Sequence, residues 1–294
     1  MGKREEIKSR RQWGCLIPAA LLVVLLFCIP LELYLSNNAL SSEEITVLSD
    51  RLPAAFDGLR ILQLSDLHEK TFGSDNEKLL SGASELTPDI IAITGDMIDS
   101  ELGLTYAEKL LPKLTAIAPV YFVTGNHEWA ADGKTAYLGR NRLINRLQTT
   151  VEESGAVWLD SSLIPLERGG ESIILAGVSD PINRAAPGIN ALRQMADNEY
   201  GQELFTVLLS HRHDKDYTGF DVVLAGHAHG GVIRLPFTDG LIGPDREWFP
   251  KDTSGVLTRN GTQVVVSRGL GDTYAPRFLN RPQMLLVTLK RGEY

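Results

Sequence analysis

The chain has 294 residues, 43% hydrophobic and 22% charged, enough to bury a full core as one large domain or two small ones. Five of its 29 basic and two of its 37 acidic residues lie in the first twelve. The remainder therefore sets 24 basic against 35 acidic side chains, which excludes a nucleic-acid-coating role built on counterion release. Its two cysteines, Cys15 and Cys28, are too few for a disulfide scaffold and about 20 Å apart along a helix, which also excludes thiolate metal sites.

The first element is apolar. Trp13 to Leu31 contains no charge and, as a helix, spans about 28 Å, the thickness of a bilayer core. Residues 1–12 are a basic flank, whereas Glu32, Glu43 and Glu44 follow the run, so the positive-inside rule predicts a cytoplasmic N-terminus and a body outside the cytoplasm. We read residues 13–35 as a retained transmembrane signal-anchor in the cell membrane. A cleaved signal peptide is the competing reading, although its apolar region is usually shorter and no A-x-A site follows. Ser9-Arg10-Arg11-Gln12-Trp13 resembles a twin-arginine export signal and equally fits a basic stop flank. Residues 36–44 are small and polar and predict a linker, leaving 45–294 as one domain.

Within that domain, short Val- and Ile-rich runs predict buried strands at 59–64, 90–94, 120–124, 173–178, 205–209, 222–225, 264–267 and 284–289. Helical patterns occupy 76–86, 106–117 and 140–153. Strands alternating with helices argue for α/β layers with a strand-rich later half.

All six histidines follow one of these strands within a few residues. In order, the strand ends read Asp66-Leu67-His68, Gly95-Asp96-Met97-Ile98-Asp99, Gly125-Asn126-His127-Glu128, Ser210-His211 and Gly226-His227-Ala228-His229. The crevice beyond the carboxyl ends of strands is where α/β sheets bind ligands, so the five segments are expected to converge. Side chains two apart in extended chain point the same way, which pairs Asp66 with His68 and His227 with His229. With Asp96, Asn126 and His211 there are nitrogen and oxygen donors enough for two cations. Such mixed donors suit manganese, iron or zinc better than magnesium.

These blocks resemble the signature of the calcineurin-like metallophosphoesterase superfamily, D-x-H, G-D-x-x-D, G-N-H-[DE], H and G-H-x-H, all present and in order. The likeness runs from about Leu52 to Leu289. The stretches Phe56-Asp57-Gly58-Leu59-Arg60, Gly230 to Pro236 and Ser267 to Gly271 look like its membrane-anchored or exported phosphodiesterase branch. The resemblance implies a four-layer α/β/β/α sandwich. It also implies two divalent metals, one held by Asp66, His68 and His229, the other by Asn126, His211 and His227, with Asp96 bridging. His127 would serve the leaving group and Asp99 would orient it.

The implied reaction is hydrolysis of a phosphodiester by a metal-bridging hydroxide, the cations supplying the positive charge that the acidic body lacks. A phosphomonoesterase, a pyrophosphatase acting on lipid-linked head groups, and a non-catalytic scaffold of the same fold are the alternatives. Substrate-binding residues and oligomeric state are not legible. Several neighbours carry weaker expectations. Glu128 is expected to support the site, His213 to lie on the surface, behind the ligands or against the substrate, and Gln283 to be solvated. Arg277 fits either a substrate phosphate or an ion pair, and Glu247-Trp248-Phe249-Pro250 reads either as loop packing or as exposed aromatics near the crevice or the bilayer.

Overall fold

The computed structural model describes Pro18 and residues 22–131, 142–180, 188–271 and 273–292. A wide helical turn over Val24–Cys28 runs into α1 (Ile29–Asn38), followed by β1 (Ser41–Ser49), β2 (Arg60–Leu64), α2 (Glu77–Glu85) and β3 (Ile90–Thr94). Next come α3 (Gly103–Thr115), β4 (Val120–Val123), the short α4 (Asn126–Ala131), α5 (Arg142–Glu153) and β5 (Val157–Trp158). The later half holds β6 (Ser162–Arg168), β7 (Glu171–Val178), α6 (Ile189–Tyr200), β8 (Thr206–Ser210), β9 (Val222–Ala225), β10 (Gly255–Arg259), β11 (Thr262–Val266) and β12 (Gln283–Arg291).

Two six-stranded sheets result, in the orders β1-β12-β2-β3-β4-β5 and β10-β11-β9-β8-β7-β6. Three apolar clusters alternate with them. Ile61, Ala92, Val123 and Val287 of the first sheet meet Leu175, Val207, Leu224 and Val265 of the second. Leu62, Ile91 and Phe122 turn the other way onto Leu79 of α2, Leu110 of α3 and Leu147 of α5. Ala176, Leu208 and Val264 cover Ile189 and Leu192 of α6. The layers therefore run helices, sheet, sheet, helix, because each strand buries alternate residues on opposite faces.

All eight expected strands are present. The three expected helices appear as α2, α3 and α5, although residues 140 and 141 of the third lie outside the described residues. Helix α6 was not expected, though its buried Ile189, Leu192 and Ala196 recur at helical spacing.

The stretch expected to be a linker, 36–44, is instead built into the fold. Ser41 to Ser49 pair in parallel with Gln283 to Arg291 of β12. Asn37 accepts the Arg277 N–H at 3.0 Å and donates to the Arg277 carbonyl at 2.9 Å. Small polar residues read as a linker because nothing in the sequence shows the strand edge waiting for them. Glu43 is likewise more than an acidic flank, since it accepts from Gln283 Nε2 at 2.6 Å and Arg268 Nη1 at 3.1 Å.

The basic flank 1–12 and most of the first half of the expected membrane anchor, 13–35, lie outside the described residues. Among the described residues no helix is long and apolar enough to cross a membrane.

Candidate metal centre

Parallel pairing brings the carboxyl ends of β2, β3 and β4 to one end of the first sheet, and β8 and β9 do the same in the second. The loops that follow, together with the first turn of α4, carry all nine expected site residues. Asp66, His68, Asp96, His227 and His229 have positive φ, between 46° and 67°. A left-handed backbone at non-glycine residues costs on the order of 1–3 kcal/mol each and persists only when the surroundings over-determine it. Here they do, because Asp66 N donates to Gly95 O at 3.0 Å, His68 N to Asp96 O at 3.0 Å and His227 N to Asp66 Oδ1 at 3.0 Å.

Ligand atoms gather in three overlapping groups, Asp66 with His68 and His229, His68 with Asp96 and His127, and Asp96 with His211 and His227. Asp96 belongs to two of them. Its Oδ2 lies 3.1 Å from His211 Nε2 and 3.9 Å from His68 Nε2, while its Oδ1 accepts the His127 N–H at 2.8 Å. Asn126 Oδ1 is 3.2 Å from His211 Nε2.

The protonation pattern around His211 bears on whether a cation fits. Its Nδ1–H donates to the Thr94 carbonyl at 2.9 Å, so Nε2 presents a lone pair. That lone pair faces Asp96 Oδ2 at 3.1 Å and Asn126 Oδ1 at 3.2 Å. Electron-pair donors in this arrangement repel one another unless a proton or a cation stands between them. Burial opposes a proton on His211, yet Asp96 raises its pKa to about 10. Burial also opposes charge on Asp96, but His211, His68 and His127 hold its carboxyl well below the usual range. A pocket that pulls in positive charge this strongly, built from imidazoles and carboxylates, fits divalent metals.

Asp99 turns out to serve two histidines. Its Oδ1 lies 2.7 Å from His68 Nδ1 and 2.8 Å from His127 Nδ1, which aims both Nε2 atoms inward. The hydrogen bond that His127 Nδ1–H donates to the Asp99 carboxylate raises the His127 pKa to about 9. His127 is 46% exposed, whereas the side chains of His68, His211, His227 and His229 are buried.

A family model of calcineurin-like phosphoesterases matches residues 59–231. The metallophosphoesterase YkuE of Bacillus subtilis (strain 168) is 30% identical over 87% of this chain and 88% of its own length. The chain is a calcineurin-like phosphoesterase. Its similarity extends to UDP-2,3-diacylglucosamine pyrophosphatase LpxG of Chlamydia trachomatis serovar D, 29% identical over 83% of this chain and 88% of that protein. A transmembrane protein with a metallophosphoesterase domain from Danio rerio is 28% identical over 66% of this chain and 45% of its own length. This phosphoesterase is thus a metal-dependent phosphoric ester hydrolase whose His and Asp clusters are compatible with a dinuclear site.

Several neighbours take roles that the sequence did not specify. Glu128 is fully buried and accepts four backbone N–H groups, from Gly125 at 2.8 Å, Asp96 at 3.1 Å, Met97 at 2.6 Å and Ile98 at 3.2 Å. It clamps the loop after β3 to the start of α4. Burial and the nearby Asp96 charge push its carboxyl up to about 7. Arg277 is buried and donates to the carbonyls of Gly271 at 3.0 Å and Arg268 at 2.8 Å, with Nη2 3.2 Å from His229 Nδ1. It orders the backbone and ring at His229. Burial, with His68 and Arg277 close by, keeps His229 neutral by lowering its pKa.

Gln283 is buried rather than solvated, bonded to Glu43 and to Arg268 N at 2.9 Å. His213 is partly buried, and burial lowers its pKa to about 4. Arg212, which sequence reasoning passed over, donates to Asp180 Oδ2 at 2.9 Å and lies 2.9 Å from His227 Nε2. Only its position directly after His211 marked it in the sequence. Beside His68, Asp99, His127 and His229, a cavity of about 460 Å³ is walled by Pro244, Arg246, Thr273 and Tyr274.

Proposed function

We propose that the protein is a dinuclear phosphodiesterase in which Asp66, His68 and His229 hold one cation, Asn126, His211 and His227 the other, and Asp96 both. The observation that carries this reading is the Asp96 carboxylate, whose Oδ2 lies between His68 and His211 of the two half-sites. Two divalent cations bound there would supply the nucleophile and the charge that stabilises displacement at phosphorus. The chain's own contribution is positioning. Asp99 orients His127, whose half-exposed ring borders the 460 Å³ cavity and can give a proton to a departing alkoxide. Arg246 in the cavity wall offers a guanidinium to a second phosphoryl substituent. We also propose that residues 13–35 anchor the protein in a membrane with the catalytic body outside the cytoplasm.

The test is hydrolysis of a chromogenic aryl phosphodiester and its monoester counterpart by the full chain, metal-stripped and then resupplied with manganese, zinc or iron. Metal-dependent diester turnover that His127→Ala lowers about 10²–10⁴-fold is expected. Turnover of the monoester alone would overturn the substrate class.

A second reading, pyrophosphatase action on a lipid-linked head group, is favoured by the likeness to LpxG. Release of a nucleoside monophosphate from a nucleotide-linked diphosphate, without aryl diester turnover, would establish it instead.

Two glycines make room for ligand side chains. A Cβ on Gly226 would collide with Ser65 Oγ and come within 2.6 Å of Asp66 Oδ2, and one on Gly125 would collide with Asp96 Oδ1. Gly226→Ala should therefore displace Asp66 and weaken metal binding about 10–100-fold in a chelator-competition titration. Unchanged affinity would remove Asp66 from the ligand set.

A further inference from the structure

Among the described residues sixteen large apolar side chains are exposed, and they are not scattered. Seven lie between Leu22 and Tyr34, in and just before α1. Six more are Leu235, Phe237, Trp248, Phe249, Tyr274 and Leu279, with Phe237 wholly exposed and Trp248 and Phe249 about two-thirds exposed. Single exposed apolar residues are ordinary, but a cluster marks a contact surface. Of the two readings of Trp248-Phe249, loop packing and exposed aromatics, the exposure favours the second.

Hydrogen bonds join these two groups. The end of α1 is pinned to the 277–280 segment through Asn37 with Arg277 and through Ser36 Oγ, which accepts Asn280 N–H at 3.3 Å. From there Phe278 bridges to Ile233, Ile242 bridges Ile233 and Trp248, and Phe249 N donates to Leu241 O at 3.0 Å. Tyr274 closes the circle by donating to Gly243 O at 3.0 Å. The same loop supplies Pro244 and Arg246 to the wall of the cavity beside His127.

We infer that the 235–249 loop with Tyr274 and Leu279 is a bilayer-docking surface, which seats the cleft at the membrane interface so that phosphoesters borne on lipid head groups reach it. The occupant is lipid because the patch continues from the one segment of the chain whose sequence, uncharged from Trp13 to Leu31, matches a bilayer core. Exposed Trp and Phe at the end of such a segment suit the headgroup region. Around the patch basic Arg246, Lys251 and Arg281 are matched by acidic Asp239, Asp245 and Glu247. Insertion of rings, rather than attraction to anionic lipid, would hold it down. The substrate half of this inference rests on the hydrolase reading above, and the docking half does not.

The test uses the full chain in nanodiscs of phosphatidylcholine, with or without bromine on the acyl chains. The emission of Trp248 is taken as the difference between the protein and Trp248→Phe. Bromine is expected to reduce that difference by about half. An unchanged difference overturns the docking surface, as does a chain that fails to enter the discs. A difference insensitive to bromine but shielded from aqueous iodide assigns the patch to a protein partner or a second copy, and overturns it equally.

In a second arm, Phe237→Ser with Phe249→Ser should leave turnover of a soluble diester unchanged and lower turnover of a disc-borne diester at least tenfold. Equal rates on both would remove the lipid substrate while leaving the docking result standing.

Discussion

Asp96→Asn is expected to abolish turnover, with a loss on the order of 10³-fold or more, because the substitution removes the charge that the two proposed half-sites would share. Asparagine matches the shape of aspartate and can keep accepting the His127 N–H through Oδ1. Its amide would then face His211 Nε2 and occupy the lone pair that a cation needs, since the His211 Nδ1–H is already committed to Thr94 O. Folding should suffer as well, because Asp96 is 1% exposed and balances the positive charge on buried His211, which the substitution leaves without its partner. Thermal unfolding separates the two effects. The metal-free variant should melt below the metal-free parent, while the upward shift on adding manganese, zinc or iron should largely vanish. A variant that keeps the full metal-induced shift would show that Asp96 is not shared between the cations.

Glu128→Ala should act in the opposite order, on stability first and on activity through it. Four buried backbone donors would lose their acceptor at once, each at about 1–3 kcal/mol before any relief by water. A net loss of about 3–5 kcal/mol is expected, a fall in Tm on the order of 10 °C for a body of this size. Two of those donors belong to Asp96 and Gly125, so the carboxylate and Asn126 would drift together, and metal affinity should fall even at temperatures where the variant is folded. Glu128→Gln keeps the size but turns an amide N–H₂ toward the donors, and should fall between the two. Equal melting of Glu128→Ala and the parent would mean that water replaces the carboxylate, and would remove Glu128 as the clamp.

What the sequence could show followed burial. The eight strands it predicted fill the interior of the two sheets, where apolar cover on both faces makes a run of Val, Ile and Leu obligatory. The four it missed, β1, β5, β6 and β10, are the four sheet edges. An edge strand such as Ser41–Ser49 or Ser162–Arg168 is half-exposed and polar, and its backbone partner is far away in the chain, so its local pattern resembles a loop. The same limit turned 36–44 into an expected linker.

The chemistry of the site was determined by the sequence alone, because a metal needs particular donor atoms and a strand end needs few residues to present them. Asp66, His68, Asp96, Asp99, Asn126, His127, His211, His227 and His229 could all be named, and they meet in one place. Only the tertiary structure decided how they are supported. The Glu128 clamp, the second hydrogen bond that Asp99 accepts, from His68, the Arg277 contact with His229 and the pinning of α1 beside exposed Trp248 and Phe249 all depend on distances across the fold. A hydrogen bond between residues 31, 48 or 240 positions apart leaves no periodicity and no motif behind. Donor type is a property of the residue, whereas orientation is a property of its neighbours in space.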